Sequence, residues 1–554
     1  MISESRTKPR RGLIIGIVVA ILLIAVIIYL YATDFFNPNL AVPGKYRTIQ
    51  VAINEAVDGD VIVVDPGVYY EQLDFMGKNI TVRSTDPDDP DIVASTVIDG
   101  RRRGSVIVFQ NGESEGAVIT GFTITGGTGN REVIIHEYEG TEITNDGYYG
   151  GGILVTGESS PTITKNVFKD NSVNLDGGGI AVLNNSSPRI TDNRFENNTA
   201  FNGAGLSIWS SSPVIENNTI RENLARNVGG GISVDYESSP RIGNNEILEN
   251  SATSGGGIAV WYSDPLVTGN LLRNNSAIWF GGGIVVFDAE PTIDSNEISR
   301  NSATNNGGGI AVAEEATPII SNNIIDRNYT TENGGGIAVV EGSEPTIIDN
   351  IISNNVVHYG GGGIFINASA PLIDGNNITE NLVEQDGGGI AAMTNSSPTI
   401  RNNIIDNNVA GRAGGGMVIG DNSTVTFENN TLTGNKANTG GGMFIQLSAA
   451  TISNNTISDN AAESGSGGGI IMVLNAVASI VNNSFIGNLA QEFGGAIVAF
   501  EGSVVELHLN EFIENQAQMG GAFIVFGGSV LDLNDPDDNS YSGNIPDDIE
   551  PEEE

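Results

Sequence analysis

The 554-residue sequence contains no cysteine and few basic residues, and both absences restrict what the protein can be. Without cysteine, no disulfide contributes to stability, and thiol content says nothing about the cellular compartment. The 25 Lys and Arg residues stand against 67 Asp and Glu residues, which gives a formal net charge of −42. Nucleic acid is therefore excluded as a partner, because binding phosphates needs a basic face. This charge favours solubility and interactions with cations instead.

Histidine and helical periodicity are also scarce. The three histidines, His136, His358 and His508, fall in different repeats, so no imidazole cluster for metal binding or catalysis is indicated. After residue 57, no segment keeps the 3.6-residue apolar period of an amphipathic helix. A repeat built from helices is therefore excluded.

A glycine-rich motif, GGGI or a close variant, recurs every 26 or 27 residues. Its apolar fourth residue runs through fourteen copies from Ile180 to Phe523, and an earlier relative ends at Ile153. A fixed period of this length is typical of a solenoid, in which each repeat buries its apolar face only against its neighbours.

One repeat, Gly229 to Ser254, shows what each turn contains. Short apolar stretches occur at 232–234, 241–242 and 246–248, separated by the bend-forming residues Gly, Ser, Pro and Asn. The sequence therefore predicts an all-β fold, a parallel β-helix with three strands per turn. Fifteen such turns, about 4.8 Å apart, would form a rod about 70 Å long.

Two asparagines recur with the glycines. One series runs from Asn166 to Asn510, and the second lies five residues later in every turn, from Asn171 to Asn515. An asparagine amide both donates and accepts hydrogen bonds, so stacked copies can satisfy the buried bends. We interpret both series as structural ladders rather than ligand sites.

The N-terminal region contains an uncharged run, Leu13 to Leu30, that is long enough to cross a bilayer. Basic residues precede it and the acidic bulk of the chain follows, which predicts a cytoplasmic N-terminus and an extracellular remainder. A cleaved signal peptide is the alternative, but the run is unusually long and no clean cleavage site follows it. We predict an uncleaved single-pass anchor in the cell membrane.

Both ends of the coil need covering, since open ends expose strand edges and core. Thr48 to Val57 is predicted as a short amphipathic cap helix. We divide the chain into a cytoplasmic N-terminus (1–12), a transmembrane signal anchor (13–31), a linker (32–44), a cap helix with the first turns and an insertion loop (45–149), regular repeats (150–545) and an acidic disordered tail (546–554).

Two parts of the chain resemble known families. The segment Tyr46 to Phe75 is similar to the opening of pectin lyase-like right-handed parallel β-helix proteins, including pectin methylesterases. The repeats, as in Phe485 to Ala490 followed by Gly494 to Ile497, resemble those of polymorphic outer-membrane protein adhesins. The resemblance implies a right-handed coil. It implies no single activity, because this fold hosts lyases, hydrolases, esterases, epimerases and non-catalytic adhesins.

The catalytic motifs of these families are mostly absent. Gly67 to Glu71 fits the GxYxE element of the methylesterases, but their QDTL, DFIFG and LGRPW elements are missing. The NTD, GHG and RIK elements of polygalacturonases are missing as well. A lyase also needs a base and a cation that neutralises the uronate, and the few basic residues form no repeated stripe.

Two places break the repeat, and such breaks are where solenoids acquire function. The first is an insertion between Gly127 and Gly150 that is rich in carboxylates. It could bind calcium or cover a groove, but it lacks the ligand spacing of an EF-hand, so a solvated hairpin is the favoured interpretation.

The second break is an aromatic stripe. Positions 0 and +2 from each motif Ile are expected to face inward, and positions +1 and +3 outward. The +3 positions of five consecutive turns are Leu183, Trp209, Asp235, Trp261 and Phe287. Exposed rings stack on sugars while carboxylates accept hydrogen bonds from sugar hydroxyls, although the rings could simply cover neighbouring strands. The predicted glycan-binding residues are Trp209, Asp235, Tyr236, Trp261, Tyr262, Asp264, Phe287 and Asp288.

These observations predict a membrane-anchored extracellular β-helix that acts in cell-surface adhesion or glycan binding without catalysis. Its expected partners are a polysaccharide or cell-surface glycan and the membrane, and no cofactor is expected, with calcium left open. A polysaccharide lyase, glycoside hydrolase or epimerase is the first alternative. A structural spacer, which would bind no glycan, is the second.

Overall fold

The fold is described from a computed structural model that covers residues 40–138, 141–533, 538–546 and 549–551. The predicted cytoplasmic segment, the anchor at 13–31 and most of the linker lie outside these residues. Within the described ranges, no helix has both the length and the apolar character needed to span a bilayer.

Each regular turn contains four parallel strands. In the repeat that begins at Gly229 they are Ile232–Asp235, Arg241–Gly243, Glu246–Leu248 and Ser251–Ala252. The first three confirm the predicted strands. The fourth is only two residues long, which is too short for alternation to appear in the sequence.

Sheet A contains the strands that follow the glycine motif, stacked in register along the rod. Its 18 strands are Leu73–Asp74, Ile107–Phe109, Ile153–Val155, Ile180–Val182, Leu206–Trp209, Ile232–Asp235, Ile258–Trp261, Ile284–Phe287, Ile310–Ala313, Ile337–Val339, Ile364–Asn367, Ile390–Met393, Met417–Ile419, Met443–Gln446, Ile470–Val473, Ile497–Ala499, Phe523–Val525 and Ile549–Pro551. At about 4.8 Å per turn the rod is about 80 Å long. It exceeds the expected length because the strands before residue 150 and after residue 545 add turns.

Sheets B and C follow sheet A in each turn. The 19 strands of sheet B are Leu40–Val42, Val61–Val64, Thr81–Ser84, Val118–Thr120, Thr162–Thr164, Arg189–Thr191, Val214–Glu216, Arg241–Gly243, Leu266–Thr268, Thr292–Asp294, Ile319–Ser321, Thr346–Ile348, Leu372–Asp374, Thr399–Arg401, Thr424–Glu428, Ala449–Ser453, Val477–Val481, Val504–His508 and Val530–Asp532. The 18 strands of sheet C are Gly67–Tyr69, Thr96–Asp99, Thr123–Thr125, Val167–Lys169, Arg194–Glu196, Thr219–Arg221, Glu246–Leu248, Leu271–Arg273, Glu297–Ser299, Ile324–Asp326, Ile351–Ser353, Asn377–Thr379, Ile404–Asp406, Thr431–Thr433, Thr456–Ser458, Ser484–Ile486, Glu511–Ile513 and Ser540–Ser542.

Sheet D is formed by the short strands that precede the next glycine motif. Its 12 strands are Thr199–Ala200, Leu224–Ala225, Ser251–Ala252, Ser276–Ala277, Ser302–Ala303, Tyr329–Thr330, Val356–Val357, Leu382–Val383, Val409–Ala410, Lys436–Ala437, Ala461–Ala462 and Leu489–Ala490. The two remaining strands, Asn130–Tyr138 and Thr141–Tyr149, form an antiparallel hairpin.

The core is a column of aliphatic side chains inside the coil. In one turn Ile232, Val234, Ile242 and Ile247 are all fully buried. They occupy the inward positions that alternation predicts in sheets A, B and C. The sequence pattern therefore places the core correctly.

The asparagines form two continuous ladders, as predicted. The backbone N–H and the Nδ2 of Asn218 donate to Asn245 Oδ1 at 2.9 and 3.0 Å, and Asn245 makes the same pair of bonds to Asn270. Asn245 Nδ2 also donates to the carbonyl of Ile215 at 2.9 Å. The ladders satisfy buried polar groups at the bends between sheets B and C and between sheets C and D. They extend one turn further than expected, to Asn539 and Asn544.

The glycine motif is explained by bends and by close approach between turns. Gly229 has a φ of +66°, which glycine adopts without steric cost. A Cβ on Gly231 would lie 2.7 Å from the carbonyl oxygen of Gly257 in the next turn. A Cβ at this position therefore needs the next turn to shift, as it must at Ala496 and Ala522, which occupy the same motif position in two C-terminal turns. We interpret the motif as structural.

The N-terminal end is closed by the predicted cap. Helix α1 (Ile49–Glu55) begins at Thr48, whose Oγ1 accepts a bond from the Val51 N–H at 3.2 Å. It buries Ile49 and Ile53 against the first strands of the coil. A second short helix, α2 (Pro90–Ser95), lies in the loop between sheets B and C of an early turn.

The C-terminal segment differs from the predicted disorder in one place. Ile549–Pro551 forms a strand that pairs in parallel with Phe523–Val525. Acidic composition argued for disorder, but three residues suffice to continue the sheet A ladder. The remaining acidic residues, 547–548 and 552–554, lie outside the described part of the chain.

Candidate functional site

The insertion between Gly127 and Gly150 forms the antiparallel hairpin. An ion pair between the guanidinium of Arg131 and the carboxylate of Asp146, 2.5 Å apart, links its two strands. Ile134 and Tyr149 are buried, and they pack with Leu154 and Leu183 on the outer face of sheet A. The favoured interpretation, a hairpin, is confirmed, but this hairpin also covers part of the coil. The side chains at its tip, including His136 and Glu137, lie outside the described residues.

The predicted outward positions differ in exposure from turn to turn. Leu183 is fully buried beneath the hairpin, and Asp235 is only 6 % exposed. Trp261, beyond the hairpin, is 37 % exposed, whereas Trp209 and Phe287 are half-buried. The stripe is therefore not uniformly exposed, because the hairpin and neighbouring side chains cover parts of the outer face.

Five of the eight predicted residues line one groove of about 380 Å³: Trp209, Asp235, Tyr236, Trp261 and Tyr262. We call it the aromatic groove. The hairpin forms one side through Ile143 and Asn145, and the loops entering sheet A form the other through Phe201, Asn202 and Asn227.

The rings in the groove form two stacked pairs. Trp209 and Tyr236 lie with their centroids 5.7 Å apart and their planes within 9°. Trp261 and Tyr262 lie 5.7 Å apart at 21°. The groove therefore presents flat aromatic surfaces on successive turns of the coil.

The two tyrosines occupy left-handed backbone conformations. The φ angles of Tyr236 and Tyr262 are 46° and 48°. Such angles cost a residue with a bulky side chain about 1 kcal/mol or more, and Asn or Gly would reduce that cost. Other bends of the coil use this conformation too, so the angle itself is structural. Tyrosine at these positions is not explained by the bend.

Asp235 brings a carboxyl group to the groove. Ser233 Oγ donates a hydrogen bond to its Oδ2. Burial raises the pKa of Asp235 to about 7, against the opposing effect of the Ser233 bond. Near neutral pH this side chain is therefore an equilibrium of neutral and charged forms.

A second buried carboxyl, Asp176, lies behind the groove. Burial and then the charge of Asp235 raise the pKa of Asp176 to about 8, although hydrogen bonds from Asn202 lower it. Asn202 Oδ1 in turn accepts a bond from Asn227 Nδ2 at 3.0 Å. Sequence reasoning missed Asp176, because it directly precedes a glycine motif at a position that resembles a spacer.

The remaining predicted residues lie beside the groove. Asp264 and Asp288 line a neighbouring depression of about 400 Å³, together with Glu237, Glu290 and Glu315. We call it the acidic depression. Tyr236 and Tyr262 line both cavities and form the ridge between them. Phe287 lines neither and packs against Trp261 and Phe280, with 6.0 Å between centroids in both pairs.

The two cavities contain acids and aromatic rings but no basic group. Among their lining residues, all within the described ranges, none is Lys, Arg or His. Across the described residues, no group of three or more His, Asp or Glu side chains is arranged to hold a metal ion. The lining can therefore stack on flat apolar faces and accept hydrogen bonds.

Comparison with known protein families identifies the family to which the coil belongs. A family model described as "Right handed beta helix region" matches residues 105–277, 282–455 and 403–545, well over half of the chain. This match agrees with the parallel coil and with the predicted handedness. A search of curated protein sequences found no match.

Two solved structures show a distant similarity. One is a PL6 family alginate lyase, AlyGC, with 12% identity, a TM-score of 0.28 and coverage of 92% of this chain and 100% of that chain. The other is a mutant of the same lyase, with 14% identity, a TM-score of 0.24 and coverage of 93% and 99%. Similarity this low does not bear on the activity of the present chain.

Proposed function

The chain belongs to the right-handed β-helix family, and we propose that it is a glycan-binding protein that acts in adhesion at the outer surface of a membrane. The observation that carries this proposal is the aromatic groove. Two stacked pairs of rings and a buried carboxyl line it on consecutive turns, beside a hairpin that the regular repeat does not need.

Glycan chemistry fits such a lining. The C–H faces of sugars pack on flat aromatic rings, and carboxyl groups accept hydrogen bonds from sugar hydroxyls. Trp261 is 37 % exposed and is the most exposed of the four stacked rings in the groove. The groove takes lining residues from three consecutive turns of the coil, which suits a chain of sugars.

Binding is favoured over cleavage by what lines the groove. A lyase that neutralises a uronate carboxylate with a side-chain cation needs Lys, Arg or His at the site, and none of these lines either cavity in the described structure. Asp235, with a pKa near 7, is the one group suited to acid or base chemistry there. Catalysis is therefore the second candidate function, with Asp235 as its candidate acid.

Membrane attachment is the second part of the proposal. It is supported by the uncharged run within 13–31 and the basic residues before it. The coil would then stand on the extracellular side. Protease treatment of intact cells tests this arrangement, since an extracellular coil is digested while a cytoplasmic one is protected.

The test of glycan binding uses the full chain in detergent micelles and a panel of neutral and charged oligosaccharides, with and without added calcium. Trp261→Ala should weaken binding about tenfold or more, because it removes the most exposed of the four stacked rings. Trp279→Ala is the matched control, since Trp279 is 55 % exposed and does not line the groove. Equal loss in both variants would contradict the assignment of the groove.

Mass spectrometry of the incubated oligosaccharides distinguishes the alternatives. Intact, retained glycan supports binding without cleavage. Shortened or unsaturated products would assign a hydrolase or lyase activity instead. A protein that retains no member of the panel would be a structural spacer.

A further inference from the structure

The charge around the aromatic groove is of one sign. Asp235 lies in the groove, and the adjoining acidic depression adds the carboxylates of Glu237, Asp264, Asp288, Glu290 and Glu315, all of them exposed. Within the described structure, no Lys, Arg or His side chain lines either cavity. A ligand that lies across the ridge therefore meets rings on one side and negative charge on the other.

Building on the proposed glycan-binding function, we infer that the groove and the depression together bind a glycan with free amino groups, such as a polymer of glucosamine. Sugar faces stack on the rings of Trp261, Tyr236 and Tyr262. The ammonium groups of the same chain lie over the carboxylates of the depression.

The carboxylates continue on successive turns in the direction of the C-terminus. The pKa of Glu314 is raised by partial burial and then by the charges of Glu341 and Asp288. The strands of neighbouring turns lie about 4.8 Å apart, so the carboxylates that they carry repel one another in the free protein. A polycation laid along the coil removes this repulsion, whereas a neutral chain leaves it in place.

The same charges exclude the opposite class of ligand. A uronate or sulfated chain would place like charges against the depression, and such juxtapositions cost binding energy. The net charge of −42 adds a long-range repulsion at low salt. The ligand is therefore expected to be cationic rather than anionic.

Three matched probes test the inference on the full chain in detergent micelles at about pH 5.5, where amino groups are protonated and exposed carboxylates ionised. They are hexamers of N-acetylglucosamine, of glucosamine and of a uronic acid. At low salt the amino hexamer should bind about tenfold more tightly than the acetylated one. This advantage should shrink to about threefold or less at 0.5 M salt, because exposed charges are screened.

Two triple variants locate the binding charges. Asp264→Asn with Asp288→Asn and Glu290→Gln should remove the advantage of the amino hexamer and leave the acetylated hexamer unaffected. The control variant, Asp349→Asn with Glu380→Gln and Glu463→Gln, removes three exposed acids several turns away and should change neither affinity.

Each outcome separates the inference from the function on which it rests. If the acetylated hexamer binds through Trp261 but the amino hexamer binds no more tightly, glycan binding stands and the inference fails. Equal effects of the two triple variants would reduce amino-hexamer binding to nonspecific attraction and overturn the inference. Tighter binding of the uronic acid hexamer would also overturn it, and failure of all three hexamers would contradict both proposals.

Discussion

The buried carboxyl groups predict that this part of the coil becomes less stable as pH rises. The pKa of Asp235 is about 7 in the folded protein, against an ordinary value of 3.8, and that of Asp176 is about 8. The folded state therefore binds more protons than the unfolded state between about pH 4 and 8, so raising the pH favours unfolding. The contribution of the two protonated carboxyl groups to the free energy of unfolding is fully present below about pH 4. It decreases as the pH rises and is lost once the pH has passed through the folded pKa values.

The size of the effect follows from the shift. The pKa of Asp235 rises from 3.8 to about 7, a difference of about 3, and each pKa unit corresponds to about 1.4 kcal/mol. Burial of the charged carboxylate therefore lowers the free energy of unfolding by at most about 4 kcal/mol at high pH. Asp235→Asn replaces the carboxyl with a neutral group of similar shape. We expect this variant to gain about 2 to 4 kcal/mol over the wild type at pH 9 and almost nothing at pH 4.

Tryptophan fluorescence provides a local assay. The three tryptophans of the chain, Trp209, Trp261 and Trp279, all lie within three turns of Asp235. Guanidinium unfolding followed by their emission therefore reports on these turns, even where a long repeat array does not unfold in two states. Asp264→Asn, at an exposed position, is the control and should change stability by less than about 0.5 kcal/mol at every pH. A wild-type transition that does not move between pH 5 and 9 would refute the reasoning, as would an equal pH response in Asp235→Asn.

Further predictions concern the ladders, the glycines and the ridge. Asn245→Ala should destabilise the coil by about 3 kcal/mol or more, because it removes the buried acceptor of the Asn218 N–H and the bond to the Ile215 carbonyl, whereas Asn244→Ala at the exposed neighbour should cost about 1 kcal/mol. Gly231→Ala should cost about 1 to 3 kcal/mol, since its Cβ would meet a backbone oxygen at 2.7 Å. Gly243→Ala should cost less, because the atoms nearest to its Cβ are 3.7 Å away and its φ is not left-handed, and guanidinium unfolding measures all four variants. Tyr262→Asn should be about 1 kcal/mol more stable than Tyr262→Ala, because Asn tolerates a φ of 48°, yet both should lose glycan affinity equally in titration. Equal costs within the Asn or Gly pair, or full affinity in Tyr262→Asn, would contradict these assignments.

The fold could be predicted from the sequence because each of its elements repeats. Residues that recur at one spacing predict the three strands per turn, the inward aliphatic positions and the two ladders. The two-residue strands of sheet D were missed because two residues show no alternation. The strand at Ile549–Pro551 was missed because acidic composition outweighed three residues that continue a ladder.

The site was only partly predictable, because it depends on features that occur once. Alternation correctly placed Trp209, Asp235 and Trp261 on the outer face of sheet A, but exposure there is set by the hairpin, whose docking leaves no periodic signal. Asp176 became visible only through its burial near Asp235. Asp264 and Asp288 were grouped with the rings by sequence proximity, and the structure divides them into a separate depression.

The two asparagine ladders also have a consequence for folding. Every turn presents an equivalent asparagine amide to the next turn. A strand could therefore pair one turn out of register and still form all its ladder hydrogen bonds, and the skipped repeat would be left as an unpaired loop. Closing a loop of about that length costs little more entropy than closing a shorter one, so the ladders alone discriminate weakly against this error. The end of the coil that carries helix α1 is different, because its helix and first strands are not repeated elsewhere in the chain. Only the turn that follows them in the sequence matches their surface. Coiling that started at this end and proceeded turn by turn would offer each repeat one free strand edge, and the correct count of turns would follow.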